Sequence, residues 1–218
     1  MNFKGVIFDL DGVITDTAEY HYIAWKDLAN KIGIEIDEEF NETLKGISRG
    51  ESLERILVKG NKENYFTQDE KDELAKSKND YYLTLLEKLT PDDVMENILE
   101  TLKHLKENNI KIALASASKN APLILDKLEL SSFFDVIVDP TSVKVGKPAP
   151  DIFLEGARLI GLNSSECIGV EDSEAGVTSI NDSNMLSIGI GSETNLQHAN
   201  VVIPSTKILK DTISNLMV

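Results

Sequence analysis

The sequence predicts an α/β fold, a doubly wound Rossmann-like parallel sheet core with an inserted α-helical cap domain. First, residues 6–8 form a short apolar run that ends at Asp9-Leu10-Asp11-Gly12, typical of a buried strand followed by a turn. Second, helical and strand patterns alternate from residue 90 onward, which favours parallel strands joined by helical crossovers. Third, residues 17–88 show helical patterns and no convincing strand. We therefore predict a catalytic core of residues 1–16 and 89–218 and a cap of residues 17–88.

The predicted cap is a succession of helices. Residues 19–32 carry apolar side chains at helical spacing and end at Gly33, which is typical of a helix terminus. The patterns Ser48-x-x-Glu51 and Thr67-x-x-Glu70 have the form of capping boxes, and each precedes further apolar residues at helical spacing. They predict the first turns of two more helices.

The predicted core alternates between helices and strands along the chain. Its predicted strands after the first are residues 110–117, 135–138, 167–170, 186–190 and 201–203. Its predicted helices are residues 97–107, 122–128, 152–160 and 173–180. This order predicts helices on both faces of one parallel sheet.

Composition restricts the classes of partner. The chain has 218 residues, 41% of them hydrophobic and 27% charged, as expected for an ordinary globular protein. Its net charge of −15 argues against nucleic acid or an anionic membrane as partner. The single cysteine, Cys167, cannot form an internal disulfide, and we expect it to be buried. With no signal-peptide pattern and no membrane-length apolar run, we expect a cytoplasmic protein. Its oligomeric state does not follow from the sequence, and a monomer is our expectation.

Asp9 and Asp11 are the first candidate catalytic residues. Because strand side chains alternate, both carboxylates point the same way at the carboxyl end of the first predicted strand. Open α/β sheets place their ligands at this edge, and two close negative charges need a cation or a shared proton. The pair indicates a metal-assisted site in which one carboxylate attacks and the other exchanges a proton. A bare Asp-x-Asp also fits a solvated turn.

Polar residues also follow later predicted strands. Ser116 ends an apolar run, where its hydroxyl and the next backbone N–H groups could receive phosphate oxygens. Lys147 stands between Gly146 and Pro148, where its ammonium could neutralise a carboxylate and a phosphate. Glu171 and Asp172 end another apolar run and offer the oxygen ligands that Mg²⁺ prefers. Taken singly, these features also fit helix caps and an exposed lysine.

The stretch Asp9-Leu10-Asp11-Gly12-Val13-Ile14 resembles the first signature of the haloacid dehalogenase superfamily of phosphotransferases. Residues 9–21 are similar to its β-phosphoglucomutase branch, and the later signals follow in the superfamily's order over residues 4–173. The resemblance implies that Asp9 is the nucleophile and Asp11 the acid–base. It also implies that Ser116 and Lys147 hold phosphoryl charge. Mg²⁺ would be bound by Asp9, the Asp11 main-chain carbonyl, Asp172 and Glu171.

The predicted cap also resembles that branch. The stretch Leu44-Lys45-Gly46-Ile47-Ser48-Arg49 is similar to a loop that holds the distal phosphate, and the Arg49 guanidinium suits bidentate phosphate binding. The alternative for Arg49 is an exposed residue in a helix's first turn. The resemblance implies that substrate is bound by Trp25, Leu44, Lys45, Gly46, Ile47, Ser48, Arg49, Ser52, Lys78, Asn79, Ala117, Ser118, Lys119 and Asn120.

Two further expectations concern charge in the predicted cap. His21 near Lys78 would couple the cap to proton transfer at the core, although a histidine beside a tryptophan is also commonly just packed. A phosphate substrate needs local cations to overcome the net charge of −15. We expect Lys45, Arg49, Lys78, Lys119 and Lys147 to face one cleft and supply that local field.

The resemblance implies an isomerase that acts on small sugar phosphates. It would interconvert β-D-glucose 1-phosphate and glucose 6-phosphate through a phosphoaspartate and bound β-glucose 1,6-bisphosphate, with Mg²⁺ as cofactor. One alternative is a small-metabolite phosphatase with the same core. A second is a phosphonate hydrolase, although that family lacks the second aspartate that Asp11 supplies here. The third is an inert binding protein that keeps the acidic residues for metal binding.

Overall fold

The computed structural model describes residues 3–217. At its centre is a six-stranded sheet in the order β3-β2-β1-β4-β5-β6, in which every neighbouring pair is parallel. The strands are β1 (Gly5–Phe8), β2 (Lys111–Leu114), β3 (Val136–Ile137), β4 (Cys167–Glu171), β5 (Leu186–Ile190) and β6 (Val201–Ile203). The predicted doubly wound parallel sheet is confirmed.

Four helices lie between β1 and β2, and we call this segment the cap. They are α1 (Ala18–Lys31), α2 (Glu38–Glu42), α3 (Arg49–Lys59) and α4 (Gln68–Leu86). The remaining helices flank the sheet, and together with it they form what we call the core. These helices are α5 (Ile98–Glu107), α6 (Ala121–Lys127), α7 (Asp151–Leu159), α8 (Glu174–Asp182) and α9 (Leu209–Met217).

Burial on both faces explains the apolar strands of the core. Val6 and Phe8 belong to a hydrophobic cluster with side chains of α5, α6 and α9. Ile7 points to the opposite face and belongs to a second cluster with side chains of α7 and α8. Because the central strands β1 and β4 are buried along their whole length, they read as continuous apolar runs rather than alternating ones.

The cap has a hydrophobic cluster of its own. It joins side chains of α1 and α3 with those of the intervening loops, namely Trp25, Leu28, Ala29, Ile34, Ile36, Leu44, Leu53, Ile56 and Leu57. The two chain segments that connect cap and core run side by side, since Thr15 and Val94 form an isolated antiparallel bridge. The amide of Met95 also donates to the carbonyl of Ile14 at 2.9 Å. The division at residues 16/17 and 88/89 stays a prediction.

The two predicted capping boxes differ in the structure. Thr67 and Glu70 form the full reciprocal box, in which the Thr67 amide donates to the Glu70 carboxylate at 2.8 Å. The Ser48 hydroxyl accepts from the Glu51 amide at 3.3 Å, but the Glu51 carboxylate binds Arg55 at 2.9 Å instead of turning back. Both predicted helix starts are confirmed. Only the reciprocal bond of the Ser48 box is missing, because a cation one turn along competes for the Glu51 carboxylate.

Element boundaries and two helices differ from the prediction. The strand predicted at residues 110–117 is confined to Lys111–Leu114, because the chain then turns into the loop that carries Ser116. Helix α2 is short and charged, so it has no apolar repeat to reveal it. Helix α9 was missed although Leu209 and Ile213 are fully buried at helical spacing. Within residues 3–217 we find no helix with the length and apolar character needed to cross a bilayer.

Candidate active site

The candidate site lies at the carboxyl edge of the sheet, where β1 and β4 are neighbours. The strand order reverses direction between these two strands, and open α/β sheets bind ligands in the crevice at that point. Asp9 follows β1, Ser116 follows β2 and Asp172 follows β4. All three line a cleft of about 490 Å³ between core and cap. The three strand ends that carry these predicted site residues therefore meet at one edge of the sheet.

Most of the predicted site residues line this cleft. They are Asp9, Asp11, His21, Trp25, Leu44, Lys45, Gly46, Ile47, Ser48, Arg49, Ser52, Lys78, Ser116, Ala117, Ser118, Lys119 and Asp172. Four others, Asn79, Asn120, Lys147 and Glu171, are not part of the cleft wall. Their side chains instead contact residues around it, as described below.

Lys147 is fully buried between two carboxylates. Its Nζ lies 2.6 Å from Asp9 Oδ1 and 2.7 Å from Glu171 Oε1. Burial by itself favours the neutral amine, but Asp9 and Glu171 raise the pKa of Lys147 above its ordinary value. Burial raises the pKa of Asp9 to about 7, with Lys147 opposing this shift and Glu171 adding to it. One ammonium therefore does not fully offset the buried acidic groups.

Asp9, Glu171 and Asp172 form a group that could hold a metal ion. Each offers a carboxylate oxygen, and these atoms lie within 4.8 Å of one another. Burial and the neighbouring Glu171 and Asp9 raise the pKa of Asp172 well above its ordinary value, so a cation is needed to keep these groups ionised together. An oxygen-only donor set of this kind fits Mg²⁺.

Glu171 has other partners inside that group. Its Oε1 accepts from Lys147, and its Oε2 accepts from the Ser173 amide at 2.7 Å and the Ser173 hydroxyl at 2.8 Å. A Cβ at Gly176 would lie 1.9 Å from this carboxylate, so a glycine there leaves room for it. Glu171 therefore anchors Lys147, and its assignment as a metal ligand stays a prediction.

Asp11 is linked to the cap through a chain of contacts. Its carboxylate accepts a hydrogen bond from the Thr17 hydroxyl, and its Oδ2 lies 3.9 Å from His21 Nε2. Lys78 Nζ lies 2.7 Å from His21 Nδ1 on the other side of the ring. Burial and then the Lys78 charge lower the pKa of His21 well below its ordinary value, so the imidazole is neutral. Its contact with Asp11 is therefore not an ion pair.

Lys78 and Asp11 both have shifted pKa values. Burial, with the Arg49 charge adding to it, lowers the pKa of Lys78 to about 7. About a quarter of the Asp11 side chain remains exposed. Burial of its carboxyl group nevertheless raises the pKa of Asp11, and the hydrogen bond from Thr17 opposes that shift. Lys78 can therefore exchange a proton near neutral pH, and the raised pKa of Asp11 favours its protonated form.

Aromatic rings hold Lys78 in place. Its Nζ lies 4.6 Å from the centre of the Trp25 ring and 4.7 Å from that of Tyr82. Tyr82 also stacks on His21, with ring centroids 4.0 Å apart. Sequence reasoning missed Tyr82 and Thr17. Tyr82 lies four residues after Lys78 on α4, a spacing that places both on one helix face and could have indicated the contact.

Four of the five predicted cations line the cleft, and the structure adds Lys76 to them. Lys147 does not face the cleft because it lies behind Asp9 and is bound to two carboxylates. Lys78 faces it, but its lowered pKa reduces its charge near neutral pH. Lys45 lies 3.0 Å from Glu42. Arg49 and Lys119 are the remaining predicted cations in the wall.

The structure also adds residues to the cleft wall that the sequence did not indicate. They are Ala18, Asn41, Gly50, Asp72, Ala75, Lys76 and Pro140. Residues 72, 75, 76 and 79 share one face of α4, so helical periodicity around Asn79 could have found three of them. Pro140 follows β3 at the same sheet edge as the other strand ends.

Comparison with known proteins gives consistent matches. A family model described as haloacid dehalogenase-like hydrolase matches residues 3–184. A β-phosphoglucomutase of Bacillus subtilis (strain 168) is 49% identical over 206 residues, which are 94% of this chain and 91% of that protein. A crystal structure of β-phosphoglucomutase from Clostridium difficile superposes with a TM-score of 0.96 at 50% identity, covering 99% of this chain and 96% of that one.

A phosphatase is a more distant relative. A phosphorylated carbohydrates phosphatase of Thermotoga maritima is 30% identical over 180 residues, which are 80% of this chain and 78% of that protein. The relatives are therefore named for two activities, a phosphoglucomutase and a phosphatase of phosphorylated carbohydrates.

Proposed function

The chain belongs to the haloacid dehalogenase-like hydrolase family, and from its 49% identity to the Bacillus subtilis mutase over 94% of its length we propose that it is a β-phosphoglucomutase. The proposed reaction is the Mg²⁺-dependent interconversion of β-D-glucose 1-phosphate and glucose 6-phosphate, an isomerisation by phosphoryl transfer. Its proposed intermediates are a phosphoaspartate on Asp9 and bound β-glucose 1,6-bisphosphate. The observation that carries the proposal is that Arg49 and Lys45 of the cap line the same cleft as Asp9 and Asp11.

Asp9 is the nucleophile in this proposal. Its carboxylate attacks the phosphorus of a sugar phosphate, the bond to the sugar oxygen breaks, and the phosphoryl group remains on Asp9. The Lys147 ammonium, 2.6 Å from Asp9 Oδ1, stabilises the negative charge around the transferring group. Ser116 lines the cleft at the end of the neighbouring strand, from which its hydroxyl can donate to a phosphoryl oxygen.

The metal site is assigned to residues that meet at the switch between β1 and β4. Asp9, Asp172 and the Asp11 main-chain carbonyl would hold Mg²⁺, with Glu171 beside them. The ion supplies positive charge that offsets the phosphoryl oxygens and the clustered carboxylates. Gly12 permits the close approach of these groups, because it has a φ of +78° and a Cβ there would lie 2.2 Å from Asp172 Oδ2.

Asp11 is the general acid and base. It gives a proton to the leaving sugar oxygen and removes one from the attacking sugar hydroxyl. Its raised pKa favours the protonated form that the first of these steps needs. The Thr17 hydroxyl orients its carboxylate through a hydrogen bond. His21 Nε2 lies 3.9 Å from the same carboxylate, and Lys78 fixes the His21 ring through Nδ1.

The cap holds the phosphate that is not reacting. Arg49 offers a planar pair of N–H donors to it, and closure of the cap excludes water from the phosphoaspartate. Reorientation of the bisphosphate then presents its other phosphate to Asp9. We further propose that the enzyme is a cytoplasmic monomer whose partners are small sugar phosphates, without nucleic acid or membrane, in keeping with its net charge of −15.

A sugar-phosphate phosphatase is the second candidate. The similarity to the Thermotoga maritima phosphatase supports it, because the core residues described above would serve hydrolysis equally well. The higher identity to the Bacillus subtilis mutase, 49% over 94% of the chain, favours the mutase.

The experiment is ³¹P NMR of the products formed from β-glucose 1-phosphate with Mg²⁺ and a trace of β-glucose 1,6-bisphosphate. We expect the glucose 6-phosphate resonance to grow as the substrate signal falls. The D9N variant serves as the control and should leave the substrate unchanged. Inorganic phosphate as the main product would replace the mutase with the phosphatase.

A further inference from the structure

Asn79 occupies the boundary between cap and core. It lies on α4 of the cap, and its Oδ1 accepts a hydrogen bond from Asn120 Nδ2 of the core at 2.9 Å. The same oxygen accepts from Arg49 Nη2, at the start of α3, at 2.6 Å. One amide oxygen therefore joins two cap helices to the core loop that follows Ser118 and Lys119.

The absence of charge on this acceptor matters for Arg49. Among residues 3–217, Arg49 forms no ion pair with a carboxylate, and its hydrogen-bonded partner is the neutral amide of Asn79. A carboxylate in that place would neutralise the guanidinium before a phosphate arrived. The amide oxygen orients the guanidinium and leaves its positive charge available.

The two hydrogen bonds of Asn79 respond differently to motion of the cap. Arg49 and Asn79 both belong to the cap, so their contact persists when the cap moves as a unit. Asn120 belongs to the core, so its bond to Asn79 must break when the cap opens. The side chain of Asn79 also stays outside the cleft wall.

We infer that Asn79 is a latch, a positioning residue that ties closure of the cap to the orientation of Arg49, and that it does not contact substrate. Its effect on substrate binding rests on the proposed function, whereas its effect on closure does not. This assignment replaces the prediction that Asn79 binds substrate directly.

The first test measures closure without any ligand. Trp25, the only tryptophan, lines the cleft and is 3% exposed, so acrylamide quenching of its fluorescence reports opening of the cap. We expect N79A and N120A each to increase quenching, and the double variant to increase it no further than either one. N64A, which changes an exposed cap asparagine, is the matched control and should behave as wild type.

The quenching measurement can support or overturn the latch. Quenching of N79A and N120A equal to that of N64A would overturn the latch, and so would additive effects in the double variant. Thermal unfolding of each variant checks that the fold is intact. If N79A fails to fold, the near-isosteric N79D, which keeps the acceptor, should show normal quenching while N120A does not.

The second test separates the latch from a general structural role. Glucose 6-phosphate is titrated into each variant while Trp25 fluorescence is followed. In N79D the new carboxylate competes with phosphate for Arg49, so we expect affinity to fall about 10- to 100-fold. N64D adds the same charge at an exposed cap position and should bind as wild type does.

Equal affinities of N79D and N64D would overturn the role of Asn79 in orienting Arg49. Failure of the wild-type protein to bind or isomerise glucose phosphates would instead overturn the proposed function. The quenching experiment would still decide whether Asn79 and Asn120 hold the cap against the core, because it uses no sugar phosphate.

Discussion

Asp9 experiences opposing influences from its surroundings. Burial and the nearby carboxylates favour its neutral form, while Lys147 at 2.6 Å favours the ionised form that can attack phosphorus. An amide in its place keeps the shape and loses the nucleophile, and Lys147 retains Glu171 at 2.7 Å as a partner. We therefore expect D9N to fold and to form no phosphoenzyme. Intact-protein mass spectrometry after brief exposure to acetyl phosphate is the measurement, and a phosphoryl adduct on D9N would contradict the assignment.

We expect Arg49 to contribute to the binding of substrates that are large enough to reach the cap, which are those with a sugar or a second phosphate. Hydrogen bonds to charged groups are worth roughly 1.5–3 kcal/mol, so we expect R49A to weaken sugar-phosphate binding about 10- to 100-fold. Reaction with acetyl phosphate should change little, because that donor does not reach the cap. Steady-state kinetics with both donors provides the comparison. R55A is the control, because Arg55 lies on the same helix as Arg49 and its side chain binds Glu51. Equal losses with the two donors would make Arg49 structural.

Lys78 makes stability depend on pH. Burial lowers its pKa from 10.5 to about 7 in the folded protein, so between these two values the unfolded chain binds the extra proton. The cost of burying the charged amine is therefore fully present below about pH 7, declines as pH rises, and is absent above the unfolded pKa of 10.5. We expect the free energy of unfolding of wild type, relative to K78M, to rise across this window in urea titrations. If the difference in the free energy of unfolding between wild type and K78M did not change with pH, the lowered pKa of Lys78 would be contradicted.

At the scale of elements, parallel register explains why the core site could be predicted. Phe8 pairs with Leu114 and with Val170, so the chain leaves three adjacent strands at one level of the sheet. The residues that follow must meet, and the apolar runs before Asp9 and Asp172 are strong enough to identify in one sequence. This is why Asp9, Ser116 and Asp172 were predicted together.

Contacts that depend on how the cap sits on the core could not be predicted in the same way. Helical periodicity places Lys78 and Asn79 on α4, but it does not say which core residue they meet. The pairing of Asn79 with Asn120 and the stacking of Tyr82 on His21 depend on the angle between cap and core. The burial of Lys147 behind Asp9 depends on the path of one loop, which no local pattern encodes.

Gly46 sets how closely the cap approaches the core. It has a φ of +74°, and a Cβ there would lie 2.3 Å from the Ser173 hydroxyl of the core. We therefore expect G46A to hinder closure and to raise the share of inorganic phosphate among the products. G161A is the control, because Gly161 has a φ of +75° and a Cβ there would meet no atom within 4 Å. G161A therefore has the same backbone strain of about 1 kcal/mol as G46A, but it lacks the close contact with a core side chain. A product ratio equal to that of G161A would contradict this account of Gly46.

At the scale of the whole molecule, charge and architecture oppose each other. The chain carries 37 acidic and 22 basic residues, so its overall field repels sugar phosphates. The cap places Arg49 and Lys45 in the wall of the cleft at the sheet edge, where the proposed function puts the phosphates. The composition therefore predicted a need for local cations, whereas their arrangement required the positions of both cap and core.

The same architecture separates a mutase from a phosphatase, which share the core residues. A mutase must protect its phosphoaspartate from water until a sugar hydroxyl arrives, and only a closed cap does this. In the proposed mechanism, the contacts from Lys78 through His21 to Asp11 connect that closure to the acid–base group. We therefore expect H21A to transfer less phosphoryl group to sugar and more to water.

The most direct measurement is a time course of glucose 6-phosphate formed and inorganic phosphate released from β-glucose 1-phosphate, with and without catalytic β-glucose 1,6-bisphosphate. We expect glucose 6-phosphate to greatly exceed inorganic phosphate, bisphosphate to shorten any lag, and H21A to move the ratio towards hydrolysis. Inorganic phosphate as the main product, with no response to bisphosphate, would contradict the proposed mutase activity.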